Sequence, residues 1–502
     1  MKNKIVDFLD LKKIRKKYKN KKIGLAHGAF DLFHYGHLLH LRKAKSMCDI
    51  LVVTVTSSKY VKKGPGRPLY KDNQRLDYLS SISLVDYVSL SNFEGAVEVI
   101  NNLKPDIYIK GNEYESKEND ITGKISKEIK TVLKNKGKVH FTDELTLSST
   151  NIINKHFSSF SEQDKKYLRK MKKTYSFEKI KTILDSITKY NVLVVGDTII
   201  DKYIFTSSLG KSPKEGIISV KENNQEIYAG GILATVNHIS DFVGKVTLLT
   251  VLGDEKKDNN FVIKQLNKKI NKKIFYQNDF KTITKTRYIN SSNAKLFQTS
   301  NENEIILKKK IEKKIISYLK KNIRSYDIVI VNDFGHGLLT EKIRNFMQKQ
   351  SKYLAVNTQT NSSNVGYHYI TKYSNADYIS IDEPEARLAL QDKFSPSDKL
   401  FRKLRKKIKF KFGSITFGAN GTKVYGKNLI HFAPALADKP VDTLGAGDAY
   451  FSLSSLCSKE VGNQEVIGFL GNIAGALEIG NIGHRKYLNK QEVLNYAKSF
   501  LN

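Results

Sequence analysis

The feature that most constrains this sequence is an alternation of short apolar runs with longer amphipathic stretches, which occurs twice along the chain. In the first occurrence the amphipathic stretches have helical spacing, as over 36–47, 72–82 and 123–136. The apolar runs between them lie at 22–27, 49–55, 85–90, 105–110 and 138–141. Buried strands that alternate with helices are typical of a parallel, doubly wound sheet. The pattern therefore predicts an α/β domain before residue 155.

A second pattern of the same kind begins at 191–197 and continues to the end of the sequence. Its further apolar runs, each expected to be a buried strand, lie at 327–333, 353–358, 376–382 and 413–418. The segment 219–231 is more polar and alternates, which favours a small β-lid over the main sheet. With 502 residues the chain is too long for one hydrophobic core. We therefore expect α/β domains at 1–155 and 189–502, joined by a Lys-rich segment at 156–188 that is either a helical linker or a helix packed on the second domain.

Composition excludes several classes of protein. Cys48 and Cys457 lie far apart and give no disulfide framework. No window approaches the roughly 18 uninterrupted apolar residues of a membrane span, and the charged N-terminus lacks the apolar segment of a secretory signal. These features predict a cytoplasmic protein with no membrane partner.

The charge balance, 85 Lys and Arg against 50 Asp and Glu, gives a net charge of +35. Such a surface could bind nucleic acid by releasing counterions. The lysines are instead dispersed through helical patterns, without a basic tail or a recognisable nucleic-acid module. We therefore expect small-molecule partners and no nucleic acid, with the positive field helping to attract nucleotides and sugar phosphates.

The first candidate site follows the first predicted strand, in the run GAFDLFHYGH at 28–37. His34 and His37 are three residues apart at a helix start and so share one face, while Gly36 allows a ligand close to the backbone. A helix N-terminus suits phosphate, and two imidazoles can donate hydrogen bonds to phosphoryl oxygens as charge develops. No Cys or carboxylate follows at a spacing that would complete a zinc site. The pattern predicts catalytic phosphate binding.

This run resembles the GxFDxxHxGH signature of the cytidylyltransferase-like nucleotidyltransferases, and 59–75, 109–114 and 147–154 resemble the sugar-phosphate branch of that family. The resemblance implies a Rossmann-like fold in which His34 and His37 stabilise the transferring α-phosphate and Lys63 neutralises phosphate charge from a loop. It implies that Arg75 positions that loop or contacts a phosphate. The nucleotide-binding residues implied are Gly28, Phe30, Asp31, Gly36, Lys110, Gly111, Ser148, Ser149 and Thr150. One departure is Glu113, where relatives often carry Asp.

The second candidate site is the run DTLGAGD at 442–448, which precedes an apolar helical stretch. Glycines at a loop-to-helix junction let consecutive N–H groups converge on an anion. Asp448 then falls in the first turn, where a carboxylate can accept the proton of an attacking hydroxyl during phosphoryl transfer.

The run resembles the D-T-x-G-A-G-D signature of the ribokinase-like, or PfkB-like, carbohydrate kinases, and the likeness extends over about 190–500. It implies a ribokinase-like domain with a β-lid, in which Asp448 is the catalytic base. It implies sugar contacts at Asp197, Asp201, Gly230 and Gly231, and an indirect magnesium contact at Glu385. The residues implied to form the anion hole and to bind ATP are Asp442, Thr443, Gly445, Ala446, Gly447, Thr416, Gly418 and Gly421.

Departures from the kinase pattern lie on the substrate side. Ala234 stands where relatives commonly carry Asn, Asp382 replaces an Asn, and 355–359 reads AVNTQ where relatives read LVDPK. The resemblance is strongest to heptose-phosphate kinases, which are often fused to the nucleotidyltransferase in the opposite order. Either the acceptor differs from the usual heptose phosphate or the domain binds without turnover.

Three hypotheses follow. The first is a bifunctional enzyme that phosphorylates a sugar with Mg2+ and ATP and joins a sugar 1-phosphate to ATP or CTP, as in ADP-heptose formation for lipopolysaccharide. The second is a CTP-dependent transferase for an alcohol phosphate such as glycerol 3-phosphate, with a divergent kinase domain. The third makes the second domain a non-catalytic binding or dimerisation module. Because ribokinase-like lids often dimerise, the resemblance also implies a homodimer.

Overall fold

A computed structural model of the chain describes residues 4–61, 67–111, 124–142, 160–301, 307–437 and 440–501. These residues fall into two compact units, Met1–Phe160 and Ser161–Asn502. The helices of the segment 156–188, at Glu162–Thr174 and Phe177–Ser186, belong to the second unit and pack against its C-terminal helix. Within the described residues, every helix is too short or too polar to cross a bilayer.

The first unit is a five-stranded parallel sheet in the order β3-β2-β1-β4-β5. This confirms the predicted doubly wound sheet. Its strands are β1 (Ile23–Gly28), β2 (Ile50–Thr56), β3 (Tyr87–Ser91), β4 (Ile107–Gly111) and β5 (Lys138–Thr142). The helices described are α1 (Leu11–Lys17), α2 (Tyr35–Ser46), α3 (Asp72–Ser80), α4 (Val97–Leu103) and α5 (Lys124–Lys134).

Two apolar layers cover the faces of this sheet. Because successive side chains of a strand point to opposite faces, Leu25 and Val52 pack with α1, α4 and α5, while Ala26 and Val53 pack with α2 and α3. Helices on both faces bury both sides of the strands, which is why the strands read as continuous apolar runs.

The second unit has a nine-stranded main sheet in the order β10-β9-β6-β13-β14-β15-β16-β17-β18, parallel except for its last two strand pairs. Its strands are β6 (Asn191–Gly196), β9 (Lys245–Leu252), β10 (Ile270–Tyr276), β13 (Ile328–Asp333), β14 (Leu354–Thr358), β15 (Tyr378–Asp382), β16 (Phe412–Thr416), β17 (Thr422–Gly426) and β18 (Leu429–Ala433). A separate four-stranded sheet, the lid, has the order β12-β11-β7-β8. The lid strands are β7 (Thr198–Lys211), β8 (Ile218–Gly231), β11 (Ile283–Ile289) and β12 (Lys295–Ser300). The polar segment 219–231 therefore forms the predicted β-lid.

Helices cover both faces of the main sheet. They are α6 (Glu162–Thr174), α7 (Phe177–Ser186), α8 (Ile232–Ile239), α9 (Lys256–Gln265), α10 (Lys309–Asn322), α11 (Glu341–Gln350), α12 (Glu383–Leu390), α13 (Ser397–Lys407), α14 (Ala446–Glu460), α15 (Gln464–Glu478) and α16 (Lys490–Leu501). α14 and α15 are buried over most of their length and pack closely on each other. The buried part of α14 begins at Asp448, and α15 is buried as far as its last residue, Glu478.

Gly196, the last residue of β6, marks a close approach between β6 and β13. A Cβ atom on Gly196 would lie 2.2 Å from the carbonyl oxygen of Asn332. We expect Gly196→Ala to destabilise the second unit by about 1–3 kcal/mol, the usual cost of overpacking. Calorimetry should show a lower melting temperature, by roughly 2–4 °C per kcal/mol. Gly216→Ala is the matched control, because a Cβ there meets nothing within 4 Å; equal melting temperatures for the two variants would contradict the prediction.

Candidate active sites

The first site lies where β1 separates two neighbours in the sheet. β1 pairs with β2 on one side and with β4 on the other, and in doubly wound sheets ligands bind outside the carboxyl ends of strands at such a point. Gly28 ends β1, and Lys110 and Gly111 end β4. The Lys110 ammonium donates to the carbonyl of His27 at 3.2 Å. The fold therefore brings the predicted segments 28–37 and 109–114 together at the carboxyl ends of β1 and β4.

His34 and His37 stand together at the start of α2. His34 is the N-cap residue, and its backbone N–H donates to Nδ1 of His37 at 3.4 Å. The two imidazoles stack with ring centroids 3.9 Å apart, and Phe30 and Phe33 flank His37. This arrangement presents two ring systems beside the free N–H groups of a helix N-terminus, where an anion is favoured.

The turn between β1 and α2 has an unusual backbone. Phe30 has φ of 44°, which a bulky residue rarely adopts, and its buried ring lies against Gly28. The buried carboxylate of Asp31 accepts from the backbone N–H of Leu69 at 2.5 Å and from Arg67 at 3.3 Å. Asp31 therefore holds the segment that follows 62–66 against the turn.

Arg75 is wholly buried beneath this turn. Its guanidinium donates to the carbonyls of Ala29 and Thr56 at 2.6 and 2.8 Å and to Asp72 at 2.6 Å. Arg75 thus braces the loops around the site from the inside. The guanidinium is wholly buried and its contacts fit the expected loop-positioning role; the phosphate contact stays a prediction.

Some expected residues lie outside the described part of the chain, namely Lys63, Ser148, Ser149 and Thr150. Sequence reasoning also missed Glu128 of α5, which is buried and accepts from the backbone N–H of Ala96 and from Tyr108, both at 2.8 Å. Glu128 lies 3.8 Å from the Lys110 ammonium and so fixes the charge at the end of β4. A lone Glu in a Lys-rich helix carries no motif that could have identified it.

The second site is built at the start of α14. Gly445 has φ of 82° and caps the helix, which begins at Ala446. Gly447 and Thr443 are exposed, and a Cβ on Gly447 would meet nothing within 4 Å. The loop therefore leaves room for an anion over the first turn of the helix.

Asp448 lies in that first turn and is buried. Its Oδ1 accepts from the side-chain amides of Asn332, at 2.8 Å, and Gln359. Burial raises the pKa of Asp448 to about 6, although these amides and His484 oppose the rise. A carboxylate with a pKa near neutrality, held in one orientation, suits a general base.

Asp442, at the start of the same run, binds the lid. Its carboxylate accepts from Lys295 of β12 at 2.6 Å and from Tyr203 of β7 at 3.0 Å. Burial favours the neutral acid, but Lys295 and the N–H groups of Leu444 and Gly483 hold the pKa of Asp442 below its usual value. Asp442 therefore connects the lid to the loop at 442–445 that precedes α14, which we call the anion-hole loop.

The two expected sugar-binding carboxylates lie at the base of the lid. Asp197 accepts from the backbone N–H groups of His336 and Leu338, both at 3.3 Å, and burial together with Asp333 raises its pKa to about 7. Asp201 is buried and forms an ion pair with Arg287 of β11. A Cβ on Gly230 would collide with the Asp201 carboxylate, so this glycine is required by packing.

Glu385, the expected magnesium contact, lies in the first turn of α12, which begins at Glu383. It forms a reciprocal cap with Asp382, and its other oxygen accepts from the backbone N–H of Thr360 at 2.8 Å. Burial and the neighbouring Asp382 raise the pKa of Glu385 to about 8. Neighbouring carboxyl oxygens whose charges repel are the kind of set that a divalent cation relieves, so Asp382 and Glu385 fit a magnesium role.

The residues expected to bind the nucleotide and Ala234 belong to different elements of the fold. Thr416 ends β16, Gly418 is exposed, and both Gly418 and Gly421 have positive φ. Ala234 is buried within α8, and its neighbour Thr235 accepts from Asn332 at 3.0 Å. The hydroxyl of Thr235 thus faces the residue that also orients Asp448.

Several polar residues of this site lay outside the sequence predictions: Arg287, Lys295, Asn332, Gln359, Glu478 and His484. Asn332 and Gln359 stand near the ends of strands that the pattern did identify, so strand-end position was an available signal. The others come from lid strands, from the last residue of α15 or from the loop that follows it, where no motif marks them.

Comparison with known proteins decides the family of the second unit. The pfkB family of carbohydrate kinases matches residues 189–488, which is more than half of the chain. The chain belongs to the pfkB family. A second family, described as cytidylyltransferase-like, matches residues 25–160. A cytidylyltransferase-like domain and a pfkB domain are therefore joined in one chain.

The curated relatives of this chain are named as bifunctional proteins. The bifunctional protein HldE of Aliarcobacter butzleri is 27% identical over 306 residues, which are 59% of this chain and 62% of the relative. HldE of Helicobacter pylori is 41% identical over 112 residues, which are 22% and 24% of the two chains. The longer matches span about three fifths of the relatives' length. A phosphofructokinase-2 variant from Escherichia coli aligns over 62% of this chain and 100% of its own, with a TM-score of 0.51 and 13% identity, which shows the fold alone.

The histidine pair gives the first prediction for activity. We expect His37→Ala to reduce nucleotidyl transfer by about 100- to 1000-fold, because one donor to the developing phosphoryl charge is lost. Pyrophosphate release measures the effect, and phosphorylation by the pfkB domain of the same chain is the internal control. Unchanged pyrophosphate release would remove His37 from the site.

The second prediction for activity concerns Asp448. We expect Asp448→Asn to reduce phosphorylation by about 100-fold or more, the usual contribution of a general base, and to leave nucleotidyl transfer intact. In the wild-type chain phosphorylation should fall as the pH drops through about 6, because protonation of this carboxyl removes the base. ADP release followed from pH 5 to 8 measures both effects. A flat acid limb, or equal rates for the two chains, would refute the base role.

Proposed function

We propose that this chain is a bifunctional sugar-activating enzyme. The pfkB domain would phosphorylate a sugar or sugar phosphate with ATP, and the cytidylyltransferase-like domain would join a sugar 1-phosphate to a nucleotide. The observation that carries the proposal is the presence, in one chain, of the stacked pair His34 and His37 at the N-terminus of α2 and of buried Asp448 at the N-terminus of α14. Each helix start is suited to phosphate.

In the proposed kinase reaction an acceptor hydroxyl loses its proton to the Asp448 carboxylate while its oxygen attacks the γ-phosphorus of ATP. A new P–O bond forms, the bond between the γ-phosphorus and the bridging oxygen breaks, and ADP leaves. Asn332 and Gln359 both donate to Oδ1 of Asp448 and so fix the carboxylate, which leaves Oδ2 to receive the proton. The N–H groups at the start of α14 face the charge that develops on the transferred group.

Mg2+ bound with ATP would neutralise phosphate charge in this reaction. Glu385 is the residue proposed to help hold it, indirectly, because its carboxyl lies close to that of Asp382 at the start of α12. Thr416, Gly418 and Gly421 are proposed to lie along the nucleotide.

In the proposed transferase reaction an oxygen of the sugar 1-phosphate attacks the α-phosphorus of ATP or CTP. The bond from that phosphorus to the β-bridging oxygen breaks and pyrophosphate leaves, so no protein nucleophile is needed. His34 and His37 would donate to the α-phosphate, and the charge of Lys110 lies at the adjoining strand end. Lys63 and Ser148–Thr150 are proposed to contact phosphates from outside the described residues.

For the substrate we propose a heptose phosphate, with ADP-heptose as the product, on the strength of the resemblance to heptose-phosphate enzymes. A second candidate keeps CTP and an alcohol phosphate, with a divergent pfkB domain. It is favoured by the acceptor side, where Ala234 is apolar and Asp201 is already paired with Arg287. The homodimer expected from the sequence stays a prediction, which a mass measurement in solution would test.

A screen of pyrophosphate release tests the proposal. The purified chain is given ATP or CTP with a panel of sugar 1-phosphates and alcohol phosphates, including heptose 1-phosphate. We expect turnover with ATP and heptose 1-phosphate and loss of that turnover in His37→Ala. Turnover confined to CTP with an alcohol phosphate would favour the second candidate, and no release with any pair would refute the transferase.

A further inference from the structure

A buried set of side chains lies directly behind the anion-hole loop of the second unit. Glu478 ends α15, His484 lies in the loop that follows, and His238 comes from α8; all three are buried. Nδ1 of His484 lies 2.8 Å from Glu478 Oε1, and Nε2 of His238 lies 3.8 Å from Glu478 Oε2. The other ring nitrogen of His484 lies 4.0 Å from Asp201 Oδ2.

These three residues are close enough to hold a metal ion, but the hydrogen bonds argue against one. The backbone N–H of Leu488 donates to Nδ1 of His238 at 3.1 Å. Nδ1 is therefore the unprotonated nitrogen, and burial lowers the pKa of His238 to about 4, so the neutral ring carries its proton on Nε2. That nitrogen, which faces Glu478, has no lone pair to give a metal.

The position of the set follows from Gly445. A Cβ on Gly445 would lie 2.5 Å from Cε1 of His484 and 3.0 Å from Oε1 of Glu478. The absence of a side chain lets the imidazole and the carboxylate pack against the N-terminus of α14 from within. His484 is thus placed between the anion-hole loop and the base of the lid, where Asp201 lies.

Three of the carboxylates around this point are matched with cations. Asp201 has Arg287, Asp442 has Lys295, and Glu478 has His484. Within the part of the chain that the structure describes, Asp448 forms no ion pair and accepts only from neutral amides. The charge of His484 favours the carboxylate form of Asp448.

We propose that His484 is a positioning residue of the phosphoryl-transfer site, whose imidazolium, held by Glu478, keeps Asp448 in its carboxylate form and orients Asp201. This proposal rests on the kinase half of the proposed function. It adds a residue that neither contacts the acceptor nor belongs to a recognised motif.

The charge state of His484 supports this role. Burial opposes the imidazolium, but the hydrogen bond to Glu478 and the carboxylates of Asp201 and Asp448 outweigh it and raise the pKa of His484. The groups that face His484 are Glu478 from α15, Asp448 from α14, Asp201 from β7 and neutral His238 from α8. Removing the cation removes a group that lowers the pKa of Asp448, so that pKa must rise.

The test is the pH profile of phosphorylation by the full chain, with MgATP and a heptose phosphate as acceptor. We expect His484→Gln to move the acid limb to higher pH by about one unit. Nucleotidyl transfer by the same preparation should be unchanged. Loss of rate without movement of the limb would mean a merely structural role and would overturn the proposal.

The matched control is His431→Gln. His431 also neighbours a carboxylate, Glu465 at 3.5 Å, but Glu465 lies at the opposite end of α15 from Glu478, roughly 20 Å away along a helix of this length. We expect His431→Gln to leave the acid limb where it is. An equal shift in both variants would overturn the proposal. If His484→Gln does not fold, Glu478→Gln replaces it, since it removes the anchor of the imidazolium and keeps a hydrogen-bond acceptor.

NMR of labelled histidine in the full chain separates failure of this inference from failure of the proposed function. It needs no substrate, and His484 is assigned by its loss in His484→Gln. We expect the pKa of His484 to lie above that of an ordinary histidine in the wild-type chain and to fall in Glu478→Gln. A pKa at or below that of an ordinary histidine overturns the inference even if the chain phosphorylates heptose. A charged ring sensitive to Glu478 supports it even if another acceptor is required.

Discussion

The structure of the second unit depends on a group of buried carboxylates that lie together at one edge of the main sheet. Parallel strands all end at the same edge, and here those ends, with the adjoining lid and loop, bring Asp197, Asp201, Asp442 and Asp448 together. Each buried charge needs a partner, because desolvation is costly unless it is compensated. The lid supplies Arg287 and Lys295. The pair Arg287–Asp201 joins two strands of the lid, whereas the pair Lys295–Asp442 holds the lid to the loop that precedes α14.

The first unit meets a different constraint, which is steric. The chain leaves β1 through a turn in which Phe30 adopts a positive φ, and it must then deliver His34 to the first position before α2. Arg75 and Asp31 stabilise this path from opposite sides, one through backbone carbonyls and one through backbone N–H groups. Two polar residues that look like ligand contacts in the sequence thus act largely on the protein's own backbone.

Some elements of the fold could be predicted from the sequence and others could not. Strands such as β1 and β13 were predictable because burial on both faces requires an uninterrupted apolar run, and the glycine-containing motifs predicted the starts of α2 and α14. Arg287 and Lys295 were not predictable, because their partners lie 86 and 147 residues away in sequence and only the lid topology joins them. His484 was missed for the same reason, since a histidine in a Gly- and Lys-containing loop has no pattern of its own. The identity of a buried partner is a tertiary property, which local periodicity does not carry.

Gly445 shows how one position can serve two sides of a loop. A glycine in a phosphate-binding loop is ordinarily explained by the ligand that approaches it, and by its φ of 82°. Here the face turned away from the ligand is equally demanding, because the imidazole of His484 occupies the volume that a methyl group would need. The proposed substrate anion would therefore lie on one side of this single stretch of backbone, and the imidazolium of His484 on the other. A larger residue at position 445 would push the two charges apart and weaken their attraction, even in a variant whose helix and anion hole were otherwise intact.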